Sequence, residues 1–430
     1  MKTIGIDIGT TSICAVFYDG LKGCAGRLSA PNHFLEGTAC QDADRIVGTA
    51  IRLMEELERA FGPAEAVGIS SQMHGILYID RLGESVSPFY TWKYADENTS
   101  RLAEELSEAT GCRMHAGYGT VTHFSLQRAG ALPPQAAGFV NIGDYLAMRL
   151  CSLTRTAADP TIAASFGGFD LEEQDFDRDA LRRAGVDVSY YPEVSPVPRP
   201  VGSWHGARVF AAFGDNQAEF YAAVRRPQSQ INVNVGTGAQ VSLAQSVAER
   251  GFGSLPDGGE VRPFVRGQRL YVQASVGGGK AYERLADFFA ETALLLTGQR
   301  IDAYAGLERL LEQTEATSLR IEPSLYGSRE NAILTGGRME NLVEQNFHPG
   351  DFARAYVIGM ARELHQLYLT FPEELRRGRT QIAGSGNGMR KNRFLRREVE
   401  RLFGMPVVFS GEQEEAAAGA AMLAAEAVML

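Results

Sequence analysis

Ile4-Gly5-Ile6-Asp7-Ile8-Gly9-Thr10-Thr11-Ser12 opens the chain, and Asn234-Val235-Gly236-Thr237-Gly238 repeats its form near the middle. In the first stretch Ile4, Ile6 and Ile8 alternate with Gly5 and Asp7, the two-residue period of a strand with one buried face. Gly9-Thr10-Thr11-Ser12 then reads as a turn into a second strand, Ile13 to Tyr18. In the second stretch Ile231–Val235 runs into Gly236-Thr237-Gly238, and a partner strand follows from Ala239 to Ala244. Each copy sets a short polar side chain two residues before a Gly-Thr turn, and each opens one half of the chain with strands ahead of helices. A duplicated domain follows from that match. Taken singly, either copy also fits an ordinary hairpin with a glycine turn.

Working outward, the chain has 430 residues, more than a single core usually organises, so two domains are expected. Arg225-Arg226-Pro227-Gln228-Ser229 marks the boundary, giving domains over 1–225 and 226–430. Residues 44–61 have helical periodicity, with Ile46, Val47, Ala50, Met54, Leu57 and Phe61 on one face. A short strand, Ala66–Ser70, ends at the loop Ser71-Gln72-Met73-His74-Gly75. Four prolines between Tyr190 and Val201 exclude regular helix or strand there. A strand over Val209–Phe213 then delivers Gly214-Asp215-Asn216-Gln217-Ala218-Glu219 into a helix running through Val224. The pattern throughout is α/β.

Composition narrows the partners. A net charge of −10 with only short basic clusters argues against nucleic acid. It leaves phosphate open, because backbone N–H groups hold phosphate without net basicity. Five cysteines without CxxC spacing fit buried thiols in a reducing compartment. No apolar run approaches the roughly 20 residues of a membrane span, and no apolar leader precedes the first strand, so a cytoplasmic address is expected.

Gly9, Thr10, Thr11 and Ser12, with Gly236, Thr237 and Gly238, are candidate phosphate turns: glycine lets a backbone approach closely and the hydroxyls add donors. Asp7 lies mid-strand opposite the isoleucines, where an unpaired carboxylate is costly. It fits a cation such as hydrated Mg²⁺, which takes one or two carboxylates and keeps several waters, or a cap on nearby backbone donors. Asp215, at a strand end before a helix, fits the base that accepts a substrate hydroxyl proton in phosphoryl transfer. Asn216 and Glu219 also have capping-box spacing, which would make the cluster a helix start. His74, in a loop after a strand, is a candidate ligand contact or a structural histidine. Ile382–Ala383 runs into Gly384-Ser385-Gly386-Asn387-Gly388, a Gly-rich turn before the helix Arg393–Phe403 where an adenosine could lie on bare backbone. Its spacing does not fit GxGxxG. Glu412, Glu414 and Glu415 precede an Ala-rich final helix, which reads as structural.

Together these segments resemble the FGGY family of carbohydrate kinases, in the family's order and over nearly the whole chain. Gly5–Ser12 is similar to its first phosphate motif, Gly68–Gly75 to its sugar loop and Gly214–Ala218 to its catalytic segment. Asn234–Gly238 is similar to its second phosphate motif, and Gly384–Gly388 with Glu414–Ala421 to its adenosine motif and last helix. Within the family, residues 157–169 and 385–401 resemble sedoheptulokinases first and xylulokinases next. The resemblance implies two actin-like, ribonuclease H-type domains with a cleft between them, the first sugar-binding and catalytic, the second nucleotide-binding. It implies ATP and Mg²⁺, transfer of the γ-phosphate to a terminal hydroxyl of a small ketose such as sedoheptulose, and Asp215 as general base. Gln72, Met73, His74, Trp92 and Asn216 would contact the sugar, Asp7 the metal, and Gly384, Ser385, Gly386 and Asn387 would join the two turns around the nucleotide. A homodimer is compatible with it. One departure stands out. The family's Trp-x-Asp-x-Arg element here reads Trp92-Lys93-Tyr94-Ala95-Asp96, without the acid and guanidinium. A nucleotide-binding sensor without sugar turnover is therefore the alternative.

Overall fold

The alternation of residues 2–8 becomes strand β1 (Lys2–Ile8), with Ile4, Ile6 and Ile8 fully buried. It pairs antiparallel with β2 (Ser12–Asp19), which pairs antiparallel with β3 (Gly23–Pro31). Helix α1 (Ala43–Phe61), capped by the Asp42 side chain, lays Ile46, Val47, Ala50, Leu53, Met54 and Leu57 on the isoleucine face. Burying each such side chain contributes about 1.5–3 kcal/mol. Phe61, expected in that stripe, stays partly exposed and stacks on Phe17 at 5.4 Å. Strand β4 (Ala66–Ser71) returns parallel to β1. Far along the chain, β5 (Pro200–Trp204), β6 (Ala207–Phe210) and β7 (Phe213–Gly214) complete a sheet in the order β5-β6-β4-β1-β2-β3, with β7 also beside β4. Residues between β4 and β5 form an insertion that includes α2 (Ile142–Cys151) and an aromatic core around Tyr78, Phe139, Phe166 and Tyr191. Helix α3 (Asp215–Ala223) follows β7.

The second hairpin, β8 (Gln230–Val235) and β9 (Ala239–Gln245), starts another sheet with β10 (Glu260–Pro263) and β11 (Arg269–Ser275). Helices α4 (Gly278–Thr297) and α5 (Pro349–Leu369) come next, then β12 (Gln381–Ser385), α6 (Gly386–Lys391), α7 (Arg393–Phe403) and β13 (Val407–Phe409). The order is β10-β11-β9-β8-β12-β13, with β12 parallel to β8 and β13 parallel to β12. Strands β3-β2-β1-β4-β6 and β11-β9-β8-β12-β13 thus share one arrangement: three antiparallel strands, then two parallel to the first. That is the actin-like, ribonuclease H-type sheet, built twice.

The computed structural model describes residues 1–20, 23–197, 199–236, 238–245, 255, 259–275, 277–325 and 336–429. Its compact units are Met1–Ala222 with Arg262–Gly267 and Glu412–Leu430, and Ala223–Val261 with Gln268–Gly411. A single cut after residue 225 does not describe them, because two later segments return to the first unit. The C-terminal helix Glu415–Met429 packs on β1 and β4 backbone to backbone. A Cβ built on Gly5 would lie 1.9 Å from the Ala417 carbonyl oxygen, and one on Gly68 1.9 Å from that of Ala420. Only glycine admits that approach. No helix among the described residues is long and apolar enough to cross a membrane.

Candidate active site

Strand pairing puts Asp7 opposite Cys14 on β2 and Ser70 on β4, and Ser70 Oγ donates to Asp7 Oδ1 at 2.8 Å. Burial, then the charge of Asp215, push the Asp7 carboxyl up to about 8; Glu219 and Glu414 add to this, and Ser70 opposes it. Carboxylates gathered in this way fit a cation. Among the described residues no three His, Cys, Asp or Glu side chains are grouped so as to hold a metal ion. In the adjoining turn, the Gly9 and Thr10 carbonyls accept from Asn32 Nδ2 (2.9 Å) and Gln41 Nε2 (2.8 Å), and the Thr11 carbonyl from Asn32 N (2.9 Å). A turn whose carbonyls are tied back offers its N–H side to an anion.

The loop after β4 is held by Asn141, the N-cap of α2. Its Nδ2 donates to the Gln72 and Gly75 carbonyls at 3.1 and 3.2 Å, and its Oδ1 accepts from Ser71 Oγ (2.6 Å) and Gly143 N (2.9 Å). Gln72 is buried, with Nε2 on Gln41 Oε1 at 2.9 Å and Oε1 accepting from Thr10 Oγ1 at 3.3 Å. His74 has φ +73°, a left-handed conformation that is uncommon outside glycine. Ser165 secures it: Oγ accepts from His74 N at 2.9 Å, and the Ser165 carbonyl contacts Nδ1 at 2.7 Å. A carbonyl only accepts, so Nδ1 carries a proton in this contact. The ring stacks on Tyr118 at 4.5 Å. Trp92 is 45% exposed, and its Nε1 donates to Thr10 Oγ1 at 3.0 Å. Asp96, by contrast, accepts from Asn98 N (2.8 Å), Thr99 N (3.0 Å) and Ser125 Oγ (2.6 Å), capping the helix Thr99–Thr110. Tyr94 packs edge-on to Tyr90 at 4.9 Å. Both altered positions of the Trp92–Asp96 element thus have structural partners.

The strand expected over Val209–Phe213 is broken at Ala211-Ala212 into β6 and β7. Asp144 of α2 captures Ala212 N (3.1 Å), and Thr161 Oγ1 captures Gly214 N (3.1 Å) while donating to Asp159 Oδ1 (2.6 Å). These clamps set Asp215 as the first residue of α3. A Cβ on Gly214 would lie 3.0 Å from Met73 Sδ, so the histidine loop packs against the aspartate turn. Asp215 Oδ1 accepts from Asn216 N at 2.8 Å. Burial raises its carboxyl to about 6, against the Asn216 N–H and the Arg262 charge. Arg262, itself buried, donates from Nη1 to Asn216 Oδ1 at 2.9 Å. The first unit therefore gathers Asp7, Thr10, Gln72, Met73, His74, Trp92, Asp215 and Asn216. Sequence reasoning did not single out Ser70, Ser165, Asn141 or Arg262, each of which acts across a long sequence separation.

In the second unit Asn234 pairs with Gln240 on β9 and with Ser385 on β12, the register of Asp7 with Cys14 and Ser70. Gly236 and Gly238 meet the start of α4: Gly279 N donates to the Gly236 carbonyl at 2.8 Å, and a Cβ on Gly278 would lie 2.1 Å from Gly238 C and O. The run Gly277-Gly278-Gly279 was the overlooked local signal for this contact. Thr237 lies outside the described residues. The Gly-rich turn expected at Gly384–Gly388 is instead a strand end and a helix start. Ser385 is buried in the ladder with its Oγ accepting from Asn232 Nδ2 (3.0 Å), while Gly386, at φ +75°, swings Asn387 into α6. A cavity of about 620 Å³ opens nearby, lined by Leu311, Arg390, Lys391, Asn392, Phe394 and Arg397 among others. Asn392 is 7% exposed; its Oδ1 accepts from Leu395 N at 2.9 Å, and its buried Nδ2 has no partner among the described residues.

Comparison with known proteins agrees with this geometry. Residues 2–216 match the N-terminal domain and residues 312–428 the C-terminal domain of the FGGY family of carbohydrate kinases. The chain is similar to the sedoheptulokinase of Mus musculus, 26% identical with 98% of this chain and 96% of the relative covered. The sedoheptulokinase of Homo sapiens is 25% identical over the same shares. Its fold is that of a gluconate kinase from Lactobacillus acidophilus, with a TM-score of 0.85 at 19% identity over 100% of this chain and 89% of the other. A ligand-bound xylulose kinase from Lactobacillus acidophilus superposes equally well, at TM-score 0.85 and 19% identity, covering 100% and 89%. With its twinned sheets, its acidic strand end and both family domains matched in order, the chain belongs to the FGGY family of carbohydrate kinases, ATP-dependent enzymes that phosphorylate small sugars.

Proposed function

We propose that the chain phosphorylates a ketose at a terminal hydroxyl, sedoheptulose ahead of xylulose, with Asp215 as general base. The observation that carries the base assignment is Asp215 itself: held at a helix start by clamps on Ala212 and Gly214, packed beside the His74 loop, and raised by burial to about 6. A base of that strength is ionised at neutral pH yet still takes a proton readily. In the step, Asp215 accepts the proton of the terminal hydroxyl as that oxygen bonds the γ-phosphorus. The bond from the γ-phosphorus to the β–γ bridging oxygen breaks, and ADP leaves with its electron pair. Gln72, Met73, His74, Trp92 and Asn216 hold the sugar. Backbone donors of Gly9–Ser12, Gly236, Thr237 and Gly238 take phosphate oxygens; Gly384, Ser385, Gly386 and Asn387 offer backbone to the nucleoside. Asp7 would hold Mg²⁺, whose charge would offset that of the phosphates.

Sedoheptulose is preferred because the relatives of that name cover 98% of this chain. The diverted Trp92–Asp96 element leaves the choice of acceptor to the rest of the loop. ADP release measured across heptuloses, pentuloses, aldonates and polyols tests the proposal, with sedoheptulose expected to give the highest kcat/KM. A higher value with another acceptor would reassign the substrate. Nucleotide binding unstimulated by every sugar would favour the sensor.

A further inference from the structure

We propose that Gln41 is a positioning residue for the Gly9–Ser12 phosphate turn, the last link of a hydrogen-bond chain that runs from the Trp92 indole to the Thr10 carbonyl. Trp92 Nε1 donates to Thr10 Oγ1 at 3.0 Å, and Thr10 Oγ1 donates to Gln72 Oε1 at 3.3 Å. Gln72 Nε2 donates to Gln41 Oε1 at 2.9 Å, and Gln41 Nε2 donates to the Thr10 carbonyl at 2.8 Å. The two ends fix the direction. The carbonyl only accepts, so Gln41 turns Nε2 to it and Oε1 to Gln72; Gln72 then turns Nε2 to Gln41 and Oε1 to the Thr10 hydroxyl. The indole only donates, so the hydroxyl accepts from it and gives its one proton to Gln72. Reversing either amide would set like group against like group. The chain thus meets Thr10 twice, once at the side chain and once at the backbone.

Gln41 is fully buried and is held by the ribbon that carries it. The short strand Cys40–Gln41 pairs antiparallel with Phe89–Tyr90, Gln41 opposite Phe89, and Thr91 Oγ1 donates to the Ala39 carbonyl at 2.7 Å. That ribbon leads directly into Trp92, and Asp42, next after Gln41, caps α1. Asn32 covers the neighbouring Gly9 and Thr11 carbonyls, which leaves the Thr10 carbonyl to Gln41. In a trans peptide the N–H points opposite to the carbonyl. A Thr10 carbonyl held on Gln41 therefore sends the Thr11 N–H to the other side of the turn, as the donor a phosphate oxygen takes. Buried amides paired at both ends set this geometry firmly, because leaving either end unpaired is costly.

The inference rests on the reading of Gly9–Ser12 as a phosphate turn, and the experiment separates the two. ATP and acceptor constants are measured in Q41M, T10V, Q41M/T10V and G9V, by calorimetry for each ligand and by steady-state kinetics with the panel sugar that turns over fastest. Q41M keeps the length of the side chain and loses both polar ends, leaving the Thr10 carbonyl and the Gln72 amide unpaired. The ATP constant should rise about tenfold and the acceptor constant less than about threefold. Q41M should add little in the T10V background, because both changes break one chain. A rise for ATP no larger than that for the acceptor, or full additivity of Q41M and T10V, would overturn the positioning role and leave Gln41 as a packing residue. Should Q41M fail to fold by thermal melt, Q41N and Q41N/T10V give the same test, since the shorter carboxamide falls a methylene short of the Thr10 carbonyl. A Cβ on Gly9 would lie 3.0 Å from the Ser12 carbonyl oxygen, so G9V distorts the turn itself. An unchanged ATP constant in G9V would defeat the phosphate-turn reading; a raised one in G9V with an unchanged one in Q41M would defeat this inference alone.

Discussion

The two hairpins share strand pairing and register, and among their sequence differences one sets a carboxylate against an amide. Asp7 and Asn234 occupy one position in one topology, each facing a serine on the parallel strand, Ser70 or Ser385. The serines behave differently: Ser70 Oγ donates to Asp7, whereas Ser385 Oγ accepts from Asn232, two residues before Asn234. A carboxylate there collects further acids, and its proton affinity climbs; an amide carries no such cost. One sheet therefore carries a carboxyl group at this position and its twin an amide. The fold supplies the position, and the residue type supplies the chemistry.

The sharpest way to break the comparison is to remove the carboxylate at the start of α3. Asp215→Asn should lower kcat by about two to four orders of magnitude, the usual contribution of a general base. In the native enzyme, kcat/KM should fall below about pH 6, because Asp215, raised to about 6, is protonated there and cannot accept. A flat acid limb down to pH 5, measured by ADP release, would exclude it.

Asp7→Asn makes the first hairpin chemically like the second. The divalent cation needed for half-maximal activity should rise by about 10–100-fold, the range for groups supporting a metal site. Stability moves the other way. Asp7 is raised from 3.8 to about 8, so the folded form keeps a proton that the unfolded chain gives up between those values. Native stability accordingly falls as pH rises through that window. The variant should melt higher than the parent at pH 8 and no higher at pH 4, in the absence of nucleotide.

Gly278→Ala tests the second unit, where a Cβ meets Gly238 backbone at 2.1 Å. Overpacking of this kind costs about 1–3 kcal/mol, and nucleotide affinity by calorimetry should fall with it. Trp92→Phe should have the smallest effect. It removes one half-exposed bond to Thr10, worth about 0.5–1.5 kcal/mol, so acceptor KM should rise less than about tenfold.

Much of this was legible in the residues. The isoleucine alternation, the strands of both hairpins and the helix Arg393–Phe403 all lie where local pattern put them. The break in Val209–Phe213 was not, because the donors freed at Ala212 and Gly214 find acceptors on α2 and at Thr161, outside any local window. The Gly384–Gly388 run misled for a related reason: composition resembles a loop, but pairing with β8 holds Gly384 and Ser385 in the strand. Asp96, which stands where the family's guanidinium would, accepts from Asn98 N and Thr99 N at the start of the helix Thr99–Thr110, a contact the sequence did not reveal.

What the sequence determined by itself was the repeated strand and turn, since side-chain alternation and glycine turns act over a few residues and need no distant partner. Tertiary structure alone decided which groups meet: Ser165 beneath His74, Arg262 against Asn216, the last helix lying on Gly5 and Gly68. Those contacts depend on sheet order and on segments that return from far along the chain, and no short-range pattern encodes either.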